Sequence, residues 1–249
     1  MLQHFAYDFG PDSGRFPKSY ADSSGRRIVY GWIGGGDNPG GGKAPQPWQG
    51  MQTVPRLVTP SAASDPTTAM LSRPVPELEH LRGKQLASLR GLKLSAGWSS
   101  VPGVAGRHLD VLVTFRGLAG AASNAHLNLS VNAFAPHPIA LSWRRLATEP
   151  ATESEAGWVS GWVDDSMSKP SLKGAPPGGP LAIRATQDEL SVRLLVDGSV
   201  LESFWDGGRA RQTARVWPAA GCGGLRLSAG VAAGVTADVE VWEMRSAWL

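Results

Sequence analysis

From residue 107 onward the chain alternates apolar and polar residues with a period of two, and this limits what it can fold into. Leu109, Val111, Val113 and Phe115 are interleaved with Asp110, Leu112 and Thr114. Leu127, Leu129, Val131 and Ala133 are interleaved with Asn128, Ser130 and Asn132, and Val235, Ala237, Val239 and Val241 with Thr236, Asp238 and Glu240. Successive strand side chains point to opposite faces, so such a pattern buries one face and leaves the other in water, as in antiparallel sheets. Leu190–Val196 and Val200–Phe204 read as two further strands. The Asp197-Gly198 pair between them reads as a hairpin turn, because both residues tolerate positive φ. With no amphipathic helix between the strands, the pattern predicts an all-β chain built on a β-sandwich. Only Pro76–Leu86 reads as helical, on Glu77, Leu78, Glu79, Leu81 and Arg82.

Composition narrows the class further. Glycine and proline make up about a fifth of the 249 residues. That exceeds the roughly 12% of an average protein and stays below the roughly 25–30% of disordered low-complexity chains. Hydrophobic residues at 42% supply a core. The net charge is +3 and the arginines form no basic run, so no nucleic-acid partner is expected. No apolar run approaches the roughly 20 residues of a membrane-spanning helix, so no membrane partner is expected either. The single cysteine, Cys222, excludes an internal disulfide and a Cys-based zinc cluster, and in its Gly-Cys-Gly-Gly setting it reads as a small buried filler. His4, His80, His108, His126 and His137 never fall at metal-ligand spacing, so no metal or cofactor is expected.

The first third of the chain differs from the rest. Residues 1–56 hold one clear strand, Arg27–Ile33, entered through the Ser23-Ser24-Gly25 turn and followed by the glycine-rich run Gly34–Gly42. Pro60–Arg73 is rich in Ser, Ala, Thr and Pro and reads as a linker. A second break at residues 164–180 reads as a loop within the sandwich. The expected division is a partial β unit over 1–56, a linker over 57–75 and a sandwich over 76–249. So few strands cannot bury a core alone, so residues 1–56 are expected to belong to a larger all-β unit. The opening MLQHFAYDFG lacks a basic stretch followed by an apolar one, and it reads as the interior of that unit rather than a leader.

Several features suggest chemistry that their spacing does not support. The run GGGDNPGGGK resembles a phosphate-binding loop, but Asp37 stands where a glycine is needed and Ala44 where a hydroxyl is needed. No Gly-x-Ser-x-Gly nucleophile elbow occurs. Asp197 and Glu202 lie on different strands across a tight turn, and pairing with Arg209, Arg211 or Arg215 is the expected role for them rather than acid–base catalysis. The ten tryptophans could stack on sugar rings or fill the core, since indole offers both an apolar face and an N–H donor; for those in the sandwich, core packing is the expected use. Asn128-Leu129-Ser130 is an N-glycosylation sequon on the polar side of a strand pattern, which makes Asn128 a candidate glycan acceptor.

Five segments, in order, resemble the C-terminal part of glycoside hydrolase family 32, the invertases and fructan-active enzymes. GRRIVYGWIGGGDN (Gly25–Asn38) is similar to the family's last propeller-blade strand, and WQGMQTVPRLV (Trp48–Val58) to its Trp-x-Gly-x-Gln-x-x-Pro-Arg segment. LSRPVPELEHLRG (Leu71–Gly83) resembles the entry to the C-terminal domain. LLVDGSVLESFWDGGRARQTARVWP (Leu194–Pro218) resembles the Asp-x-Ser-x-x-Glu-x-Phe, Gly-Gly-Arg and Thr-x-Arg-Val-aromatic-Pro series, and VEVWEMRSAWL (Val239–Leu249) the final strand.

The resemblance implies the last blade of a five-bladed β-propeller followed by a β-sandwich. It implies hydrolysis of sucrose or fructans with retention, which needs two carboxyl groups about 5–5.5 Å apart. The family's catalytic carboxylates sit in Asn-Asp-Pro, Arg-Asp-Pro and Glu-Cys motifs, and none is matched here. The one Asp-Pro, Asp65-Pro66, follows Ser64, and Cys222 follows Gly221. In the early stretch DFGPDSGRFPKSY (Asp8–Tyr20), Arg15-Phe16 replaces the family's Tyr-Ala. The chain alone is therefore expected to be inactive. Asp8, Trp32 and Trp48 are the residues placed to line a sugar pocket, with no catalytic role assigned. Sucrose or a fructan is the implied partner, a homo-oligomer through the sandwich is an open alternative, and the family's vacuolar, cell-wall or secreted settings leave the compartment unassigned. A separate reading of the same chain is a non-catalytic carbohydrate-binding or oligomerisation module.

Overall fold

The protein is described from a computed structural model over residues 15–33, 50–62, 70–119, 125–131, 139–145, 154–155, 157–163, 178–181, 183–184, 187–215, 223–230 and 234–247. Strands β1 (Arg15–Ala21), β2 (Arg27–Ile33), β3 (Met51–Gln52), β4 (Arg56–Pro60) and β5 (Met70–Pro74) form a first antiparallel sheet, ordered β1-β2-β4-β5 with β3 against the end of β2. A 3-10 turn, Pro76–Leu81, leads out of it.

The rest of the described chain is a sandwich of two six-stranded sheets. Its strands are β6 (Arg82–Lys93), β7 (Ser99–Val101), β8 (His108–Arg116), β9 (His126–Val131), β10 (Ile139–Arg145), β12 (Gly157–Val163), β13 (Gly178–Pro180), β15 (Glu189–Asp197), β16 (Val200–Trp205), β17 (Ala210–Arg215), β18 (Leu225–Gly230) and β19 (Thr236–Met244). A small pair, β11 (Ser154–Glu155) with β14 (Ile183–Arg184), stands apart. One sheet runs β17-β16-β15-β8-β19-β6, the other β13-β12-β10-β9-β18-β7.

The period-two pattern is realised in the core. Leu109, Val111, Val113 and Phe115 on β8 face Leu127, Leu129 and Val131 on β9 and Leu225 and Leu227 on β18, all buried in one cluster. Ala237, Val239 and Val241 on β19 join it, as do Leu190, Val192 and Leu194 on β15. Each Val, Leu or Phe side chain among them contributes about 1.5–3 kcal/mol by leaving water. Trp143 and Trp205 are fully buried; the Trp143 indole N–H donates to the Leu181 carbonyl at 3.3 Å, and that of Trp205 to Ser203 Oγ at 3.2 Å.

Four local expectations are corrected. The helix expected over Pro76–Leu86 is a 3-10 turn that stops at Leu81, and residues from Arg82 onward form the long strand β6. The open edge of β19 offers backbone partners to Arg82–Lys93, and tertiary pairing overrides a weak local propensity. The segment read as a linker contributes β4 and β5 to the first sheet, which therefore extends to Pro74; residues 63–69 between them lie outside the described set. The hairpin turn is Gly198-Ser199, one residue later than expected: Asp197 pairs with Val200, and Gly198 takes φ +56° at the first central position, where a type II′ turn needs glycine. Finally, Gly178–Pro180, at the end of the loop expected over 164–180, pairs with β12 as a strand. Among the described residues, no helix is long and apolar enough to cross a membrane.

Truncating a side chain in the centre of this core leaves a cavity between the sheets. Phe115→Ala should lower unfolding free energy by about 3–5 kcal/mol, read from the urea midpoint at constant slope.

Candidate functional site: the junction of the first sheet and the sandwich

The outer face of the β8 sheet departs from the usual solvent-facing pattern, because it carries charged groups that are buried. Glu202 stands on β16 beside Phe204, and Asp110 on β8 between Leu109 and Val111. Both are removed from water by what covers that face: the first sheet over Glu202, the 3-10 turn and its flanking arginine over Asp110.

Arg56 on β4 reaches Glu202 from the first sheet. Its Nε donates to Glu202 Oε2 at 3.1 Å, and its Nη2 donates both to the same oxygen and to Thr213 Oγ1, the latter at 2.7 Å. The other carboxylate oxygen accepts the Val54 backbone N–H at 2.6 Å. The guanidinium carbon lies 5.2 Å from the Phe204 ring centroid, within cation–π range. Arg56 is 0% exposed and Glu202 1%, so the pair stands in a low-dielectric setting where each charge depends on the other. Thr53 continues the contact into β2: its N–H donates to the Gly31 carbonyl at 2.9 Å, and its Oγ1 accepts the Gly31 N–H at 3.0 Å.

Asp110 accepts from Arg193 Nε at 2.9 Å and Nη2 at 2.7 Å, a bidentate fork, and from Arg82 Nε at 2.8 Å. The Arg82 guanidinium lies 4.0 Å from the Trp242 ring centroid, and Glu79 approaches Arg193 at 3.4 Å. An exposed clip closes the other side of the turn, where Arg26 donates to Asp22 and to Glu77, each at 2.6 Å. Those hydrogen bonds hold the Asp22 and Glu77 carboxyls below their ordinary values.

Two glycines permit close contacts, Gly208 between the sandwich and the first sheet and Gly50 within the first sheet. Gly208, at φ +92°, places its Cα so near β5 that a Cβ would sit 2.3 Å from the Ser72 carbonyl oxygen. Gly50, at φ +78°, lies on the Trp32 indole, where a Cβ would meet Nε1 at 2.3 Å. Between the first sheet and the sandwich a cleft of about 580 Å³ remains, lined by Leu57, Arg73, Pro74, Pro76, Glu79, Leu112, Thr114, Ser191, Arg193, Phe204 and Gly207 among others. Glu79 is the one carboxylate among the described residues that line it. A carboxylate pair of the kind that retaining glycoside hydrolysis uses is therefore not assembled by those residues.

The predicted site residues divide as follows. Asp8 and Trp48 lie outside the described residues. Trp32 is on β2, 42% exposed, and opposite Gln52. Asn128 is on β9, half-buried on the outer face of its sheet, and its Nδ2, the atom a glycan would be joined to, donates to Ser228 Oγ at 3.0 Å. Asp197 pairs with His108 at the exposed hairpin end, 2.9 Å apart, and does not converge with Glu202. Glu202 has the structural role expected, and the partner described for it is Arg56 on the first sheet. The sequence signal for that pairing was present in two motifs, Pro-Arg at Pro55-Arg56 and Glu-x-Phe at Glu202–Phe204. What sequence spacing lacks is the distance between them, which only the fold removes.

Residues 77–243 match the family model described as Glycosyl hydrolases family 32 C terminal. The acid beta-fructofuranosidase of Phaseolus vulgaris is 28% identical over 256 residues, covering 92% of this chain and 39% of that protein. The fructan 1-exohydrolase of Hordeum vulgare is 29% identical over 233 residues, covering 81% of this chain and 37% of that protein. In structure, fructan 1-exohydrolase IIa from Cichorium intybus superposes with a TM-score of 0.75 at 20% identity, covering 97% of this chain and 49% of that one. An exo-inulinase from Aspergillus awamori superposes at 0.66 and 18% identity. A sandwich of this topology with the family model over most of its length makes the chain a member of glycoside hydrolase family 32. It spans about two fifths of the length of the curated relatives it matches.

Removing one member of the buried pair strands the other. Glu202→Ala leaves the Arg56 charge without its carboxylate and should cost about 3–5 kcal/mol of stability in urea unfolding. The Arg26 clip gives a pH dependence with a defined sign. Because the Asp22 and Glu77 carboxyls titrate lower when folded, the clip stabilises above the ordinary carboxylate range and is lost as pH falls through the lowered values. Arg26→Ala should therefore make the acid limb of the stability–pH curve shallower, while Asp238, whose carboxyl is held low by the Gly91 N–H and Arg116, keeps a remaining slope there.

Proposed function

We propose that this chain is the C-terminal portion of a β-fructofuranosidase-type glycosidase acting on sucrose or fructans, with its first sheet serving as one blade of the family's propeller. The observation that carries the reading is the buried Arg56–Glu202 pair. It joins the two family-like segments that lie on either side of the junction, so the sandwich holds the first sheet in a fixed place. The named relatives supply the substrate class: beta-fructofuranosidases among the similar sequences, and a fructan 1-exohydrolase in complex with 1-kestose among the similar structures. Trp32, Asp8 and Trp48 remain the residues proposed to line the sugar pocket, and Asn128 the proposed glycan acceptor.

The chain's role in this reading is to hold the blade, not to supply the catalytic carboxylates. Its single Asp-Pro has the wrong preceding residue, and its cleft presents one carboxylate among the described residues. Purified protein incubated with sucrose or 1-kestose should release no fructose above the buffer rate; measurable release would contradict this reading.

The cleft favours a second reading, a carbohydrate-binding module. Leu57 and Pro76 offer apolar surface for sugar C–H faces, and Arg73, Glu79 and Thr114 offer hydroxyl partners. Titration calorimetry with sucrose and 1-kestose separates the readings: heat that saturates with ligand, and that Arg73→Ala in the exposed cleft wall abolishes, supports binding by this module alone.

A further inference from the structure

Residues 51–56 of the first sheet meet the β15–β16 hairpin of the sandwich at three points. Arg56 and the Val54 amide both donate to Glu202, and Ser199 Oγ donates to the Met51 thioether at 3.4 Å. Ser199 stands in the hairpin turn and is 8% exposed, while Met51 is half-buried. The first two contacts end on a carboxylate. The third ends on a thioether sulfur, a weak acceptor and the one oxidisable atom of the three contacts.

Met51 also borders Trp32. In β3 it pairs with Ile33, and its neighbour Gln52 pairs with Trp32. On the other side Gly50 lies on the Trp32 indole, so closely that a Cβ would meet Nε1 at 2.3 Å. Residues 50–52 are therefore held between Trp32 on the first sheet and Ser199 on the sandwich. A displacement of Met51 at the hairpin reaches the indole.

We propose that Met51 is an oxidation site that couples hydrogen peroxide to the seating of the first sheet and to the position of Trp32. The thioether sulfur attacks the peroxide, the O–O bond breaks, an S–O bond forms and water leaves. Sulfur gives up two electrons and the peroxide takes them. The gap to Ser199 does not admit the product. An O–H···O bond needs about 2.5 Å or more, which leaves less than about 1 Å of the 3.4 Å separation for an S–O bond. Oxygen on the other lone pair leaves Ser199 facing a positively polarised sulfur that accepts poorly. Either epimer breaks the contact and sets a polar group where an apolar one packed. Only the link from Trp32 to a sugar pocket rests on the proposed function; the oxidation and the displacement do not.

The test labels the chain with 5-fluorotryptophan and treats it with hydrogen peroxide under native conditions, before and after methionine sulfoxide reductase. Mass spectrometry of the Met51 peptide should show one added oxygen. The Trp32 fluorine resonance, identified by its loss in Trp32→Phe, should move. The urea midpoint should fall, with the folded-to-unfolded ratio down about fivefold, the scale of one hydrogen bond. Reductase should reverse all three. Met51→Leu, a volume-conserving swap, should keep its Trp32 resonance under peroxide even where Met70 and Met244 are oxidised. Ser199→Ala, with the contact already gone, should lose less stability on oxidation than the parent chain does. Met51 that is modified in urea and not in the folded chain would overturn the proposal. So would a Met51 sulfoxide that leaves the Trp32 resonance and the midpoint in place, or the same resonance shift in Met51→Leu.

Discussion

The structure depends on one buried ion pair. Taking a guanidinium and a carboxylate out of water costs several kcal/mol for each ion, and the cost is offset only when geometry and additional hydrogen bonds are both good. Arg56 and Glu202 meet that condition through Thr213, the Val54 amide and the Phe204 ring. The consequence is positional. Once Glu202 holds both Arg56 and Val54, the segment leading into β4 has one allowed placement. Thr53 transmits that placement to Gly31 in the middle of β2.

The same logic explains why the outer face of the β8 sheet does not look like a solvent face. Asp110 is held by Arg82 and Arg193, and Glu202 by Arg56, because the 3-10 turn and the first sheet lie over them. Farther along the same sheet, Arg90 pairs with Glu240 and Arg116 with Asp238, with both arginines exposed. Exposed pairs of this kind contribute little each, whereas the buried ones set where the two units sit. The cleft is a by-product of that seating: its walls are the first-sheet residues Leu57 and Arg73 and the sandwich residues Leu112 and Phe204, spaced by the pair behind them.

Much of this was legible in the sequence. The alternation at Leu109–Phe115 and Val235–Val241 identified inward residues correctly, because burial on one face of an antiparallel strand leaves a period-two trace. The five motifs placed the chain in its family. What was not legible depended on distance. Arg82–Lys93 carries no strong strand signal and becomes a strand because β19 offers it an edge. Met70–Pro74 looked like linker because its partner β4 lies across a stretch of turn-forming residues. The partner of Glu202 lies 146 positions away in sequence, beyond any spacing rule, so a local arginine was the only candidate that sequence could offer.

The central claim, that Arg56 and Glu202 act as one unit fixing the first sheet on the sandwich, is tested most directly by a double-mutant cycle. Arg56→Met, Glu202→Leu and the double variant are compared with the parent chain by urea unfolding at neutral pH. The account predicts that each single variant is strongly destabilised by the orphaned charge, and that the double variant recovers more than about 1 kcal/mol of their summed loss. Additive losses, with no recovery in the double variant, would show that the two residues do not depend on each other and would contradict the account.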